Sequence, residues 1–354
     1  MRVEENKELA PFTTFGVGGP ARWFAEAKCE DDIPEAAGWA RQKDVPLFVL
    51  GGGSNLLVAD AGFAGFVLHV RTRGVRKFKD KENVIFEVAA GENWDTFVQR
   101  SVIDKCAGLE CLAGIPGTVG GTPVQNVGAY GQEVASTIEK VRAYDLETDS
   151  FAEFSNADCG FAYRRSRFNT WDRGRHIVTR VDYRLAAGGT PTLHYADLQR
   201  EFSGRPGASL VEVADAVRRI RRSKGMLLVE GDPDCHSAGS FFKNPIVSEE
   251  RVREIKASTR KDPPSFPVGQ EGDYPGHIKL AAAWLIEQAG FAKGYSKGGA
   301  GVSSRHTLAL VNRGSATAAE ILALAEEIAS AVEARFGIRL EREPVLLGFA
   351  GDGS

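Results

Sequence analysis

AGIPGTVGGTPVQNVGAYG, residues 113–131, is rich in glycine and carries no charge. It shows neither helical nor strand periodicity, and a structureless stretch of this length inside a compact domain is functional or disordered. Its apolar residues, Ile115, Val119, Val124 and Val127, favour an ordered, functional loop. Glycine at this density lets backbone N–H groups approach a ligand closely and form an anion-binding nest. A second tract of the same kind, VLGGGSNLL at 49–57, runs on directly from the apolar segment PLFVL, 46–50.

Outward from these tracts, strand and helix patterns are mixed. GFVLHV (65–70) and VIFEVAA (84–90) are short apolar runs bounded by turn residues. HIVTRVDYRLA (176–186) alternates, with Ile177, Thr179, Val181, Tyr183 and Leu185 on one face and His176, Arg180, Asp182 and Arg184 on a wet one. Three segments read as helices. SLVEVADAVRRIRRSKG opens on a capping box, Ser209 to Glu212, with Val213, Val217 and Ile220 in a stripe. HIKLAAAWLIEQAG places Ile278, Leu285 and Ala289 near one face. TAAEILALAEEIASAVEARFG opens on the box Thr317 to Glu320 and closes at Gly337. The order is not a clean strand–helix alternation, which predicts an α+β chain with separate parts.

The whole chain bounds the function. It has 354 residues, 43% hydrophobic and 26% charged, with a formal charge of -3. That suits two or three globular domains and argues against nucleic acid as a main partner. The basic run Arg218–Lys224 reads as a solvated helix face ahead of a nucleic-acid patch, with grip on a diphosphate as a third reading. No secretory signal and no long apolar run is visible, so the expectation is a cytoplasmic protein with no membrane partner. Five cysteines without a CxxC pair read as free thiols, and six scattered histidines without HExxH predict no metal. GVGGPA (16–21) fits the dinucleotide fingerprint but follows no buried strand, contains Pro20 and precedes no helix, so it reads as a turn.

AGSFFKNP (238–245) poses a different question. Gly239 and Pro245 mark a strand or loop end, Phe241 and Phe242 call for burial, and Ser240, Lys243 and Asn244 call for hydrogen-bond partners. No base stands beside the serine in sequence.

Together these segments resemble one family, the UDP-N-acetylenolpyruvoylglucosamine reductases, also called UDP-N-acetylmuramate dehydrogenases, in their longer subtype. The matching motifs run in order: NKELAPFTTFGVGGPA (6–21), VLGGGSNLL, the 113–131 tract, FAYRRSRF (161–168), AGSFFKNP, KLAAAWLIEQAG (279–290) and LEREPV (340–345). The resemblance implies a three-domain α+β flavoenzyme with a flavin fold of the vanillyl-alcohol oxidase type. Its parts are expected at 1–60 with 338–354 and at 61–208 for FAD, and at 209–337 for the substrate. It implies non-covalent FAD, NADPH as co-substrate and a monomer.

The resemblance also assigns residues. Arg164, Ser240 and Glu343 are the expected catalytic groups, with Ser240 as proton donor. The family pattern has proline before this glutamate where the chain has Arg342; the spacing from Leu340 selects Glu343 over Glu341. Gly51, Gly52, Gly53, Ser54, Asn55, Gly114, Ile115, Pro116, Gly117, Thr118, Gly120, Gly121, Gly128, Arg164 and Ile177 are expected at the flavin. Tyr163, Tyr195, Lys224, Asn244 and His306 are expected at the sugar nucleotide. Two rivals remain in view: an FAD oxidase of the same fold, and a non-catalytic sugar-nucleotide sensor. The first lacks a His or Cys tether at the start of the GGGSN loop, and the second has no use for a proton donor.

Overall fold

A computed structural model describes residues 1–205, 207–266, 268 and 275–350. The chain opens with β1 (Glu4–Glu8), β2 (Pro20–Ala27), α1 (Asp32–Lys43), β3 (Leu47–Leu50), β4 (Leu56–Val58) and β5 (Phe63–Val70). A four-stranded sheet runs β1-β2-β5-β3, with β5 parallel to both of its neighbours. GVGGPA leads into β2 rather than a helix, so the turn reading holds.

The next group is β6 (Val75–Asp80), β7 (Asn83–Ala89), α2 (Trp94–Ile103), β8 (Cys106–Ala107), β9 (Gly128–Ala129), β10 (Gln132–Glu133), β11 (Ile138–Asp145), β12 (Ser150–Ser155), β13 (His176–Ala187), α3 (Ala196–Glu201) and α4 (Leu210–Ser223). The sheet order is β12-β11-β13-β7-β6, with β8 also on β13. The alternation in β13 is as expected, with Ile177, Val181, Tyr183 and Leu185 in the core. Its other face is less wet than expected, because Arg180 and Asp182 pair with each other at 2.8 Å and Asp182 is buried.

The last group is β14 (Ile246–Ser248), α5 (Glu249–Thr259), β15 (Ser265–Phe266), β16 (His277–Leu280), α6 (Ala282–Gln288), β17 (Ser296–Lys297), β18 (Ala300–Val302), β19 (Leu310–Asn312), α7 (Ala318–Phe336) and β20 (Val345–Leu347). The capping boxes that start α4 and α7 both form, and Gly337 closes α7 with φ 63°. Such caps contribute about 1 kcal/mol each. HIKLAAAWLIEQAG is not one helix. HIKL is the middle strand of the sheet β14-β16-β15, and α6 begins only at Ala282, whose N–H is taken by Asn244 Oδ1 at 2.9 Å. Pairing on both sides of β16 overrides the helical pattern of its sequence.

The expected domain edges need correcting. An edge at 60/61 would cut β5 from its own sheet, where it pairs with β2 and β3. An edge at 208/209 would assign α4 to the last part, yet Leu210, Val213, Ala214 and Val217 belong to the core of the second sheet. A separate core gathers Phe241, Phe242, α6 and α7, and also takes in Phe15, Val17 and Leu57. Near the end of the chain, β20 pairs in parallel with β4. Residues 351–354 of the expected first part lie outside the described residues. Among the described residues, no helix is long and apolar enough to cross a membrane.

Candidate active site

The two glycine tracts interlock. Gly53 has φ 60°, and a Cβ there would stand 1.7 Å from the Phe12 carbonyl oxygen. A Cβ on Gly52 would stand 2.6 Å from Gly117 Cα, so the two loops touch backbone to backbone. Ser54 Oγ donates to the Pro116 carbonyl at 3.0 Å and clips them together. Helix α2 abuts the second loop, with Trp94 N–H on the Gly117 carbonyl. Among the described residues, the N–H groups of Gly52, Gly53, Ser54, Gly117 and Thr118 donate to no acceptor. A cluster of free, closely approachable N–H donors fits the pyrophosphate of FAD.

Other residues expected at the flavin do different work. Gly114 N–H is used by Asp95 Oδ1 at 2.6 Å, Gly120 N–H by the Ala90 carbonyl and Gly121 N–H by the Thr118 carbonyl. Ile177 is 1% exposed in the core of the second sheet, where it offers a ligand no surface. Asn55 is a clasp: its Nδ2 donates to Gln125 Oε1 at 2.6 Å and to the Glu343 carbonyl at 3.1 Å. Ile115 and Pro116, in the second loop, are half-buried.

That clasp leads to the charged centre. Arg164 Nε donates to Glu343 Oε1 at 3.2 Å, and its other nitrogens reach the Gly128 carbonyl at 2.6 Å and the Asn126 carbonyl at 3.4 Å. Arg164 has φ 56° in the turn after Tyr163, a left-handed conformation that costs an arginine about 1 kcal/mol or more. Burial pushes the Glu343 carboxyl above its ordinary range, with Arg164 and Lys243 opposing. Burial works against the Arg164 charge as well, but Glu343, Tyr163 and Glu133 outweigh it, so the guanidinium stays charged.

Ser240 comes to this centre through the backbone. Phe242 bridges Arg342, Glu343 N–H donates to the Phe241 carbonyl at 2.9 Å, and Lys243 N–H donates to the Glu341 carbonyl. AGSFFKNP and LEREPV therefore lie side by side, with the two phenylalanines buried as expected. Ser240 is half-buried, and its hydroxyl makes no hydrogen bond to any described residue. Tyr163 Oη accepts from Asn244 N–H at 3.4 Å, which places those two expected residues together.

Lys224, Tyr195 and His306 form a second cluster. Lys224 Nζ is 2.8 Å from Asp197 Oδ2 and lies over the rings of Tyr130 and Tyr195 at 5.5 and 5.7 Å. Burial works to lower the Lys224 pKa, but the Asp197 bond and the two tyrosines more than offset it. His306 Nδ1 accepts from Leu308 N–H at 3.2 Å, and burial, helped by Lys224 and Lys293, pushes the ring down to about 4. The two clusters meet on one short segment: Gly128 holds Arg164, and Tyr130 holds Lys224.

The basic run is only partly a solvated face. Arg221 is 7% exposed and donates to the Gly114 carbonyl at 3.0 Å, while Arg218 pairs with Asp95 at 2.8 Å. Arg221 fastens α4 directly to the second glycine loop, and Arg218 fastens it to Asp95 of α2, which itself holds the Gly114 N–H. Sequence reasoning also passed over Lys279, Asp197 and Tyr130. Lys279 opens KLAAAWLIEQAG and Tyr130 lies within the 113–131 tract; for Asp197 the sequence holds no local signal.

Comparison with known proteins decides what this arrangement belongs to. The chain is 45% identical to the UDP-N-acetylenolpyruvoylglucosamine reductase of Streptomyces coelicolor, over 97% of this chain and 89% of that protein. It is 40% identical to the enzyme of the same name from Pseudomonas putida, over 98% of this chain and 99% of that one. The chain belongs to the UDP-N-acetylenolpyruvoylglucosamine reductase family. Residues 232–347 match the family's C-terminal domain, and residues 21–149 match the FAD binding domain. The solved structure of the family's reductase from Thermus caldophilus matches with a TM-score of 0.65 and 28% identity, covering 98% of this chain and 99% of that one. The expected α+β flavoenzyme fold is thus borne out along the whole chain.

Proposed function

We propose that the chain reduces the enolpyruvyl ether of UDP-N-acetylglucosamine enolpyruvate to UDP-N-acetylmuramate, a peptidoglycan precursor. When bound, FAD would supply the chemistry of hydride transfer from NADPH to C3 of the enolpyruvyl group; it would be held without a covalent bond, its pyrophosphate on the free N–H groups of the two glycine loops. The observation that carries the reading is the junction of Arg164, Glu343 and the Ser240 segment, tied to the first loop through Asn55.

The residues then have distinct tasks. Addition at C3 leaves negative charge at C2, spread into the carboxylate. Arg164 is a fixed cation for that charge, held rigid by three acceptors. Glu343 orients Arg164, and burial works against its charge while Arg164 and Lys243 favour it. Ser240 gives its proton to C2 from one face, which makes the product chiral, and recovers it from water. A hydroxyl serves because the intermediate is itself strongly basic. Lys224, Tyr195, Asn244 and His306 line the sugar-nucleotide side. The first two sheets form the flavin part and the Phe241–α7 core the substrate part. In this reading the protein works as a cytoplasmic monomer on small molecules, without nucleic acid or membrane.

The test is spectroscopic. Purified protein is expected to be yellow, to release FAD on acid precipitation, to bleach with NADPH without oxygen, and to recover its colour on adding the enolpyruvyl sugar. Colour held in the acid pellet, or no recovery with the sugar, would overturn the reading.

A further inference from the structure

Arg164 occupies a backbone conformation that arginine does not favour. It is the second central residue of a two-residue turn, closed by a pair of 3.0 Å hydrogen bonds between Ala162 and Arg165. Its φ is 56°, at a turn position where glycine or asparagine is usual. The surroundings therefore have to hold the turn in place.

Asn126, from the second glycine loop, meets this turn from inside the protein. It is 1% exposed. Its Nδ2 donates to the Ala162 carbonyl at 3.1 Å, the same carbonyl that closes the turn, and to Glu133 Oε2 at 3.0 Å. Its Oδ1 accepts from Ala135 N–H at 3.1 Å. A backbone N–H can only donate and a carbonyl only accept, so these partners fix which way the amide points. The Asn126 carbonyl accepts from Arg164 Nη1 at 3.4 Å. Among the described residues, Asn126 alone hydrogen-bonds both to the turn and to the guanidinium it presents. Asn126 itself has φ 47°, a left-handed conformation that asparagine tolerates better than most residues. The amide also fixes Glu133, whose charge acts on Arg164 and on Lys279, the latter with its Nζ 4.3 Å from the Tyr163 ring.

We propose that Asn126 is a positioning residue for Arg164. Its side chain holds the Tyr163–Arg164 turn, and its carbonyl helps to aim the guanidinium. The inference rests on the reduction proposed above. In that reaction negative charge grows at C2 and in the carboxylate, and a cation already in place stabilises it without reorganising.

Asn126→Gly tests this, because glycine accepts the left-handed φ and keeps the backbone carbonyl while the amide is lost. Reoxidation of the reduced flavin by the enolpyruvyl sugar is expected to slow about 10- to 100-fold, the scale of misplacing a group by about 1 Å. Reduction by NADPH and flavin content are expected to stay nearly normal. In the Arg164→Ala background the same substitution is expected to slow reoxidation less than about twofold further, because residues acting as one unit are not additive. A readout apart from activity is the side-chain Nε–H signal of Arg164 in NMR, identified by its loss in Arg164→Lys. Asn126→Gly is expected to speed its exchange with solvent.

Asn126→Asp, which keeps the size and the acceptor for Ala135, takes the place of Asn126→Gly if the glycine variant loses flavin. Loss of flavin from both would make Asn126 a scaffold of the glycine loop and overturn the proposal. Unchanged reoxidation, equal slowing of both halves, a full additive loss in the Arg164→Ala background, or unchanged exchange of the Arg164 signal would each overturn it too. If the unmodified enzyme's reduced flavin is not reoxidised by the enolpyruvyl sugar, the reduction itself fails, which is a separate result; the exchange measurement still reports whether Asn126 holds Arg164.

Discussion

Arg164 Nε stands 3.2 Å from Glu343 Oε1, joining residues 179 positions apart in the chain. The contact ties the turn after Tyr163 to the segment that leads into β20. It also fixes which arginine of FAYRRSRF matters: Arg165 is exposed, and Arg167 is engaged by Asp172 at 2.8 Å. Arg164 meets three acceptors with a planar fork, which a lysine cannot copy. Arg164→Lys is therefore expected to slow flavin reoxidation by the sugar at least tenfold while the protein keeps its flavin. Near-normal reoxidation in stopped-flow would show that charge alone suffices there.

Lys224 is held by Asp197, so a ligand diphosphate would compete with that carboxylate. Lys224→Ala is expected to raise KM for the sugar nucleotide about tenfold or more, the worth of a charged hydrogen bond. Asp197→Asn removes the competitor and is expected to lower KM. Steady-state titrations of both variants check this; an unchanged KM in Lys224→Ala returns the residue to a structural role with α3.

His306 gives a pH window. Its ring is pushed down to about 4 in the fold, against about 6.5 unfolded. Between those values the unfolded chain binds a proton that the folded one does not, so stability falls as pH drops from about 6.5 towards 4. Burial lowers His69 and His176 too, in the same direction. Asp145, held well below the ordinary carboxylate range by Arg175, acts only at lower pH. His306→Gln is expected to flatten, not abolish, the decline in melting temperature across the window. A slope identical to that of the unmodified protein would show that His306 is not protonated on unfolding there.

Much of this was legible because it is local. The boxes Ser209–Glu212 and Thr317–Glu320 lie within single turns, and the stripes behind them repeat along one helix. The motifs carried Arg164 and Glu343 to one place through family resemblance, not through any pattern linking residues so far apart. What stayed hidden depends on partners. Asn55 reads as one more loop amide until Glu343, 288 positions away, is seen to share it. Arg221 reads as one basic residue among several until the Gly114 carbonyl is found at its end. The Lys279 strand reads as helix because alanine and leucine follow it, and only β14 and β15 decide otherwise. Periodicity states which face is buried, not what covers it.

Ser240 separates the two halves of the proposed reaction. Its hydroxyl makes no hydrogen bond to a described residue, so no protein group holds it away from a substrate. Flavin reduction by NADPH requires no proton at C2 of the sugar; reduction of the enolpyruvyl group does. Ser240→Ala is expected to leave the first half nearly normal. It is expected to slow the second by roughly 10²–10⁴-fold, the contribution of a positioned general acid. The backbone around it is held by the pairing of Phe241 and Lys243 with Glu343 and Glu341, which alanine does not disturb. Ser240→Cys keeps a donor at the same place and is expected to recover part of the rate. Rapid mixing follows the flavin band through each half separately. Equal slowing of both halves by Ser240→Ala would make the residue a docking or structural group, and the proton would have to come from elsewhere.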